Sequence, residues 1–225
     1  LYRCCETARR MCVGQYGVGR VIARPFAGTA PDFYRTPDRR DFSLAPPCDT
    51  LLDLLQRAGR DVIGVGKIGD IFAARGLTAS YPVHGNEACM QKTAELQDTD
   101  FHGLCFVNLV DFDMLYGHRN DVGGYARALS AFDRWLGGFL EKMRREDVLI
   151  ITADHGCDPG DSSTDHTREY VPVLVCGEAV VPRALGIRSC FADVGAAVAK
   201  WLGAPRPTAG ESFADLCTDG EMKNV

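Results

Sequence analysis

The stretch "DVLIITADHG", residues 147–156, decides the fold class, because a short apolar run leads directly into Asp154 and His155. Such a run predicts a buried strand, and in open α/β sheets functional residues gather just beyond the carboxyl ends of strands. Three further runs have the same character, at residues 61–66, 104–113 and 171–177. We therefore expect four buried parallel strands.

Helical patterns separate these runs. Asp49 or Thr50 is placed to cap a short helix whose apolar positions are Leu51, Leu52, Leu54 and Leu55. Between the second and third runs, apolar residues recur at spacings of three and four: Tyr125, Leu129, Phe132, Leu136, Phe139, Leu140 and Met143. A last helix is predicted at about 191–202. Alternating strands and helices imply an α/β sheet layered by helices.

Residues 1–46 differ from the rest, because "GRVIARPFAGTAPDFYRTPDRRDFSLAPP" is rich in Arg, Pro and turn formers and has no long apolar period. We interpret this segment as part of a separate small substructure. Residues 47–225 then form the α/β core.

Composition excludes several classes of protein. The chain has 225 residues, 46% of them hydrophobic, and a net charge of −5, so it can bury a core, and it has no basic arm for nucleic acid. No apolar run reaches the roughly 20 residues that span a bilayer, and "LYRCCETARRMC" lacks the apolar centre of a secretory signal. We expect neither a nucleic-acid partner nor a membrane partner.

The ten cysteines show no CxxC pairs and no regular spacing, which argues against a zinc ribbon or a disulfide framework. Several lie in apolar runs, where Cys behaves as a small buried hydrophobe. This pattern indicates a reduced, cytoplasmic protein. Cys157 lies beside Asp154-His155, but the simpler interpretation is that its thiol is not a metal ligand.

Carboxylates and imidazoles follow two of the runs. Asp111 and Asp113 end the second run and His118 follows them, while Asp154 and His155 end the third. A loop containing Gly and Ser then leads to Asp165 and His166. Each histidine alone is more simply a hydrogen-bonded loop residue; three of them with aspartates at consecutive strand ends predict a metal site. His84 and His102 have no such aspartates beside them at a strand end.

This mixture of ligands indicates which metal ions the site suits and which reaction they could support. Carboxylate with imidazole suits Mn²⁺, Zn²⁺ or Fe²⁺ better than Mg²⁺ or Ca²⁺, which favour oxygen alone. Two such ions about 3.5–4 Å apart can clamp the attacking and leaving oxygens of a phosphoryl transfer. The motifs therefore predict a two-metal site that handles phosphate.

A competing motif is "GVGKIG", residues 64–69, which matches G-x-G-x-x-G after a predicted strand. Glu87 even lies about 20 residues on, where a dinucleotide site places an acid. However, Lys67 inside the loop is unusual for such a site. A tight turn that points Lys67 at an anionic ligand is the preferred interpretation.

The motifs "TADHG" and "TDHTREYVP" resemble the metal-binding end of the alkaline phosphatase superfamily. In "DFDMLYGH", four residues separate Asp113 from His118, one more than in the phosphoglycerate mutases and alkaline phosphatases. That spacing, with "GRVIARPF", "RTPDRRDF" and "GKIGDIF", resembles the phosphopentomutase family. The similarity extends from residue 1 to the end of "VPVLVCG", and more loosely to "GESF".

The resemblance implies two Mn²⁺ ions, one held by Asp113, His118 and His166 and the other by Asp154 and His155. It also implies interconversion of ribose 1-phosphate, or its deoxy form, with ribose 5-phosphate through a phosphothreonine and a bisphosphorylated sugar. Residues 1–46 would be the end of a cap domain that grips the sugar phosphate. The candidate phosphate-binding residues are Arg20, Arg24, Arg35, Arg39 and Lys67, since Arg offers phosphate a two-pronged donor.

The family's N-terminal part supplies a further metal-binding Asp and the phosphothreonine, and nothing in this chain matches either. Thr152, Thr164 and Thr167 lie within the metal motifs and are interpreted as structural. We therefore expect the C-terminal portion of an alkaline-phosphatase-like enzyme. Its core would be incomplete, its sheet would have an open edge or place, and the chain alone would be inactive.

Three alternatives remain open from the sequence. The chain could belong to another superfamily enzyme, such as a cofactor-independent phosphoglycerate mutase. It could be a non-catalytic fragment that binds metal or sugar phosphate, or a nucleotide-binding oxidoreductase built on "GVGKIG".

Overall fold

The computed structural model describes residues 1–36 and 38–218. Six α-helices lie within this part of the chain: α1 (Tyr2–Met11), α2 (Leu51–Arg57), α3 (Ile68–Ile71), α4 (Asn86–Gln97), α5 (Val122–Leu140) and α6 (Ala192–Trp201). The strands are β1 (Arg20–Ala23), β2 (Phe26–Ala27), β3 (Tyr34–Arg35), β4 (Arg40–Ser43), β5 (Asp61–Val65), β6 (Ala79–Tyr81), β7 (Gly103–Val107), β8 (Leu149–Thr152) and β9 (Val173–Cys176).

The centre of the core is a three-stranded parallel sheet in the order β6-β5-β7. Strand β5 is buried on both faces. On one face Val62 packs with Leu52 of α2 and Val198 of α6; on the other, Val65 packs with Cys89 of α4. This is the α/β arrangement of a sheet layered by helices that the sequence predicts, and it is confirmed.

Two of the four predicted parallel strands take a different arrangement. β8 and β9 pair with each other, antiparallel, in a separate two-stranded sheet, so the prediction of four parallel strands was wrong. A parallel pair needs a crossover of a dozen or more residues, usually helical, and residues 153–172 form turns and a bridge instead. The burial expected of these strands is also incomplete, since Leu174 is 58% exposed.

Strands β7 and β8 each have one edge unpaired among the described residues. β7 pairs with β5 alone, and β8 pairs with β9 alone. Leu104 of β7 and Ile150 of β8 nevertheless pack on the same apolar cluster, which contains Leu52, Leu55 and Val198. Both strands therefore pack against helices α2 and α6, each with one edge unpaired among the described residues.

Residues 1–36 and 38–43 contain α1, which the sequence pattern did not predict, and two small antiparallel ribbons, β1–β4 and β2–β3. The segment that follows is fixed by Arg75, whose guanidinium donates to the Pro46 carbonyl at 2.6 Å and to the Asp49 carboxylate at 2.7 Å. The division of the chain at residue 46 stays a prediction.

The predicted helices are present with small changes in extent. Thr50, rather than Asp49, precedes α2, and the Asp53 carboxylate accepts hydrogen bonds from the Thr50 amide at 2.7 Å and hydroxyl at 2.9 Å. Helix α5 ends before Met143. In the described part of the chain, no helix is both long and apolar enough to cross a membrane.

Candidate metal centre

Asp113 is the centre of the site. It lies in a π-helical turn, Phe112–Tyr116, a few residues beyond the carboxyl end of β7. Its Oδ1 atom is buried and has no hydrogen-bond partner among the described residues. A buried carboxylate oxygen without a donor is costly, unless a cation takes the donor's place.

Two imidazoles face this oxygen. The Nε2 atoms of His118 and His166 lie 3.2 and 3.1 Å from Asp113 Oδ1. One ligand atom from each of the three residues falls within 4.8 Å of the others. The set therefore fits a divalent ion, since neutral imidazole nitrogen and carboxylate oxygen are both common ligands.

The orientation of His118 is set by its other ring nitrogen. Nδ1 donates to the Thr164 carbonyl at 2.5 Å, which leaves the Nε2 lone pair directed at Asp113. A backbone carbonyl that fixes the tautomer in this way is typical of metal-binding histidines.

The loop that carries His166 is held by two contacts. Thr167 bridges to Gly156, with its amide donating to the Gly156 carbonyl at 3.1 Å. Asn120, in the left-handed region with φ 53°, donates its side-chain amide to the Asp161 and Ser163 carbonyls at 2.5 and 3.0 Å. These contacts return the loop over the end of β8.

Asp154 and His155 follow β8 and border the same site. The His155 and His166 rings stack with centroids 3.7 Å apart. His155 Nδ1 lies 2.9 Å from the Gly156 carbonyl, and its Nε2 is 3.6 Å from Asp154 Oδ1. The Asp154 side chain is 76% exposed, so this pair lies at the open side of the site.

Close packing joins the two loops below the histidines. A Cβ added at Gly117 would lie 2.1 Å from Cys157 Sγ, so only glycine lets the turn approach. Burial raises the pKa of the Cys157 thiol, and the nearby Asp113, Glu169 and Asp158 carboxylates raise it further. Cys157 is a packing neighbour, outside the cluster of three ligand residues.

Other residues near the motifs have different roles. The Asp111 carboxylate accepts from the Asn86 amide at 2.7 Å and so holds the start of α4; its side chain is not a ligand candidate here. Asp165, His84 and His102 are also outside the cluster.

Three of the five predicted phosphate-binding residues come together. Arg20 and Arg39 both contact Asp41. Lys67 lies close enough that burial, reinforced by these two arginines, lowers the pKa of its ammonium group. Arg24 and Arg35 are exposed on the strand ends of the small ribbons, and no contact joins them to this group.

The G-x-G-x-x-G motif forms a tight turn after β5. Gly66 has φ 76°, and a Cβ there would lie 2.8 Å from the Asn108 carbonyl oxygen. The helix that follows, α3, has only four residues, so it lacks the helix N-terminus on which a dinucleotide pyrophosphate rests. The turn carries Lys67, and its contact with an anionic ligand stays a prediction.

Two residues of these sites were missed from the sequence. Asp41 forms ion pairs with Arg20 and Arg39, and the Asn120 side chain donates a hydrogen bond to the loop that carries His166. The only sequence signal for Asn120 was its residue type, since Asn tolerates the left-handed region. Asp41 had none, because its role depends on the pairing of β1 with β4.

Comparison with known proteins gives a consistent result. The family model described as Metalloenzyme superfamily matches residues 65–206. A phosphopentomutase of Lachnoclostridium phytofermentans is 55% identical over 218 residues, covering 96% of this chain and 56% of that protein. The phosphopentomutase of Acetivibrio thermocellus is 53% identical over 214 residues, covering 95% of this chain and 55% of its own.

Among solved structures, a phosphoglycerate mutase of Leishmania mexicana matches with a TM-score of 0.55 and 21% identity, covering 72% of this chain and 38% of that one. This likeness concerns the fold alone. The chain spans about half the length of the curated relatives that it matches.

Proposed function

The chain belongs to the metalloenzyme superfamily, and we propose that it is the C-terminal portion of a phosphopentomutase. The activity would be interconversion of ribose 1-phosphate, or its deoxy form, with ribose 5-phosphate. The observation that carries this proposal is the buried Oδ1 of Asp113, which has no hydrogen-bond partner in the described part of the chain and faces two imidazole nitrogens. More than 50% identity to phosphopentomutases over nearly the whole chain supports it.

In this proposal Asp113, His118 and His166 hold one divalent ion, and Asp154 with His155 contributes to a second. Manganese suits the mixed ligands. Ions bound there would act as Lewis acids on a transferring phosphoryl group. The residues themselves orient the site: contacts of Thr164 and Asn120 hold the two loops that carry the three ligand residues.

The sugar phosphate would bind between the small ribbons and the core. Arg20, Arg39 and Lys67 lie near one another, and Arg24 and Arg35 add positive charge on the ribbons that carry Arg20 and Arg39. Guanidinium groups offer parallel donors to phosphate oxygens. Their role would be to bind and orient the phosphate that is not being transferred.

The nucleophilic threonine and a further metal-binding aspartate would come from a preceding portion of the longer protein, which is the proposed partner of this chain. The unpaired edges of β7 and β8 and the half length relative to its relatives support this. The isolated chain is then inactive as a mutase.

The ten cysteines, all of which are free thiols, support a cytoplasmic location, where such thiols stay reduced. The net charge of −5 supports a small anionic substrate held by local cations, rather than a nucleic-acid partner.

The test is conversion of ribose 1-phosphate to ribose 5-phosphate by the longer protein that contains this chain, dialysed against Mn²⁺. His118→Ala should reduce turnover by more than the roughly 10–100-fold that loss of an outer partner of a metal ligand costs. His102→Ala is the control, because His102 lies outside the cluster. Absence of turnover, or turnover unaffected by His118→Ala, would overturn the proposal.

A further inference from the structure

The Asp41 carboxylate joins two arginines of the small ribbons, Arg20 and Arg39. Arg39 donates to it through both Nε and Nη2, at 2.8 Å to Oδ1 and 3.0 Å to Oδ2. Arg20 Nη1 lies 3.3 Å from the same Oδ2. The Asp41 side chain is only 9% exposed, whereas those of Arg20 and Arg39 are 35% and 39% exposed. The carboxylate is thus buried beneath guanidinium groups that still face solvent.

Strand pairing places these groups. In the β1–β4 ribbon, Arg20 lies opposite Ser43 and Ile22 lies opposite Asp41, so Arg20 and Asp41 are diagonal neighbours. Arg39 precedes β4. The pairing of β1 with β4 therefore sets the backbone positions of Arg20 and Arg39. The Asp41 carboxylate then holds the guanidinium ends of both side chains.

A cation of the core completes the group. Asp41 and Ser43 line a cavity of about 390 Å³ together with the turn at Gly66 and Gly69. Lys67 lies in that turn, half-buried, and its ammonium makes no hydrogen bond or ion pair with any residue of 1–36 or 38–218. Lys67 thus lies near Arg20, Arg39 and Asp41. With Asp70, which lines the same cavity, three cations and two carboxylates leave one net positive charge.

We infer that Asp41 is a positioning residue, which holds Arg20 and Arg39 as a paired guanidinium fork, facing Lys67, for the phosphate group of a sugar phosphate. The choice of a sugar phosphate rests on the proposed function. Each guanidinium keeps donors that Asp41 does not use: Nη1 of Arg39, and Nε and Nη2 of Arg20. Without the carboxylate the two guanidinium groups repel each other and recover rotamer freedom, and binding an anion must then order them again.

This role predicts that removing the Asp41 charge changes anion binding in the direction opposite to that expected from electrostatic repulsion alone. Removing a negative charge beside an anion site should strengthen anion binding if charge alone matters. If Asp41 works by holding the arginines, removing its charge should weaken binding. Asp70 lines the same cavity and is not in contact with either arginine, so it provides a matched change of charge.

The experiment is calorimetric titration of this chain with ribose 5-phosphate and, separately, with inorganic phosphate. For Asp41→Asn we expect the Kd for ribose 5-phosphate to rise about tenfold, the scale of one charge-assisted hydrogen bond. Asp70→Asn should leave the Kd unchanged or lower it. In an Arg39→Gln background, Asp41→Asn should have a much smaller effect, because the group through which it acts is gone. Circular dichroism and the melting temperature show whether each variant is folded.

Binding by Asp41→Asn that is as tight as wild type or tighter would overturn the inference, as would absence of ribose 5-phosphate binding by the wild-type chain. An equal loss with and without Arg39 would also overturn it, since the effect would then be general. If wild type binds and Asp41→Asn loses binding, the inference stands even where the longer protein has no mutase activity, so the two proposals fail separately.

Discussion

At the scale of single residues, the surroundings of the Asp113 carboxylate favour a bound cation. Its Oδ1 is buried and has no hydrogen-bond donor among the described residues, and two imidazole nitrogens lie 3.1–3.2 Å away. The neighbouring atoms are held in place by backbone contacts, such as the bond from His118 to Thr164. The site is therefore arranged by the chain itself, which is the property expected of a preorganised metal centre.

A prediction at this scale concerns Gly117, whose substitution by Ala would place a Cβ 2.1 Å from Cys157 Sγ. Gly117→Ala should lower the free energy of unfolding by about 1–3 kcal/mol, the usual cost of overpacking. Adding Cys157→Ala removes the sulfur and should restore most of that loss. The measurement is urea unfolding of wild type, the two single variants and the double variant. Additive losses in the double variant would show that the two residues are not in contact.

Asp113 and His118 could be singled out because they follow an apolar run, and His166 because it forms an Asp-His pair with Asp165 in the next loop. The structure brings these three residues together, and their role as metal ligands stays a prediction. Asp41 and Asn120 could not be singled out, since their roles come from strand register and from a loop about 40 residues away. Asp111 shows the opposite error: its position at the end of a strand suggested a metal site, but its carboxylate holds the start of α4.

At the scale of elements, helix α2 is held at its start by a buried carboxylate. Asp53 accepts from Thr50 and from Arg75 Nε at 2.8 Å. Burial works to raise the pKa of Asp53, but the hydrogen bonds from Thr50 and the ion pair with Arg75 outweigh it and hold the pKa below its ordinary value. A lowered pKa contributes stability above the unfolded value of about 3.9, and this stability is lost as the pH falls toward the folded value.

We therefore expect the melting temperature of the chain to fall as the pH drops below about 4, and to fall less steeply in Asp53→Asn. Asp100→Asn is the control, because Asp100 is 87% exposed and its ion pair with Arg144 is 3.9 Å long. Scanning calorimetry between neutral and acid pH provides the measurement. Parallel curves for wild type and Asp53→Asn would contradict the assignment.

The strands show where periodicity stops being informative. Buried runs at 61–66 and 104–113 became parallel neighbours, as predicted, but β8 and β9 became an antiparallel pair. An apolar run indicates burial and says nothing of direction, which depends on whether a helix or a loop connects the strands. Helix α5 was correctly predicted, yet Val122, Leu129 and Leu140 are 56%, 53% and 41% exposed on it, because nothing in the described chain covers that face.

At the scale of the whole molecule, the unpaired edges of β7 and β8 are the features that most need a partner. Both strands keep an unpaired edge, and an exposed edge is a template for another strand. We expect the preceding portion of the longer protein to supply that strand. In that longer protein, β7 amides that face away from β5 should exchange with solvent more slowly than in this chain alone.

Hydrogen exchange read by mass spectrometry compares the two forms, with β5 as the internal control because it is already paired on both sides. Equal exchange of β7 in both forms would mean that no strand is added at this edge.

The most direct test of the central claim is the Mn²⁺ content of this chain after dialysis, measured by plasma mass spectrometry. Three converging ligands predict about one tightly held ion per chain. His166→Ala should lose that ion, and His102→Ala should keep it. A wild-type chain without bound metal, or a His166→Ala chain that retains it, would contradict the assignment of Asp113, His118 and His166 as a metal centre.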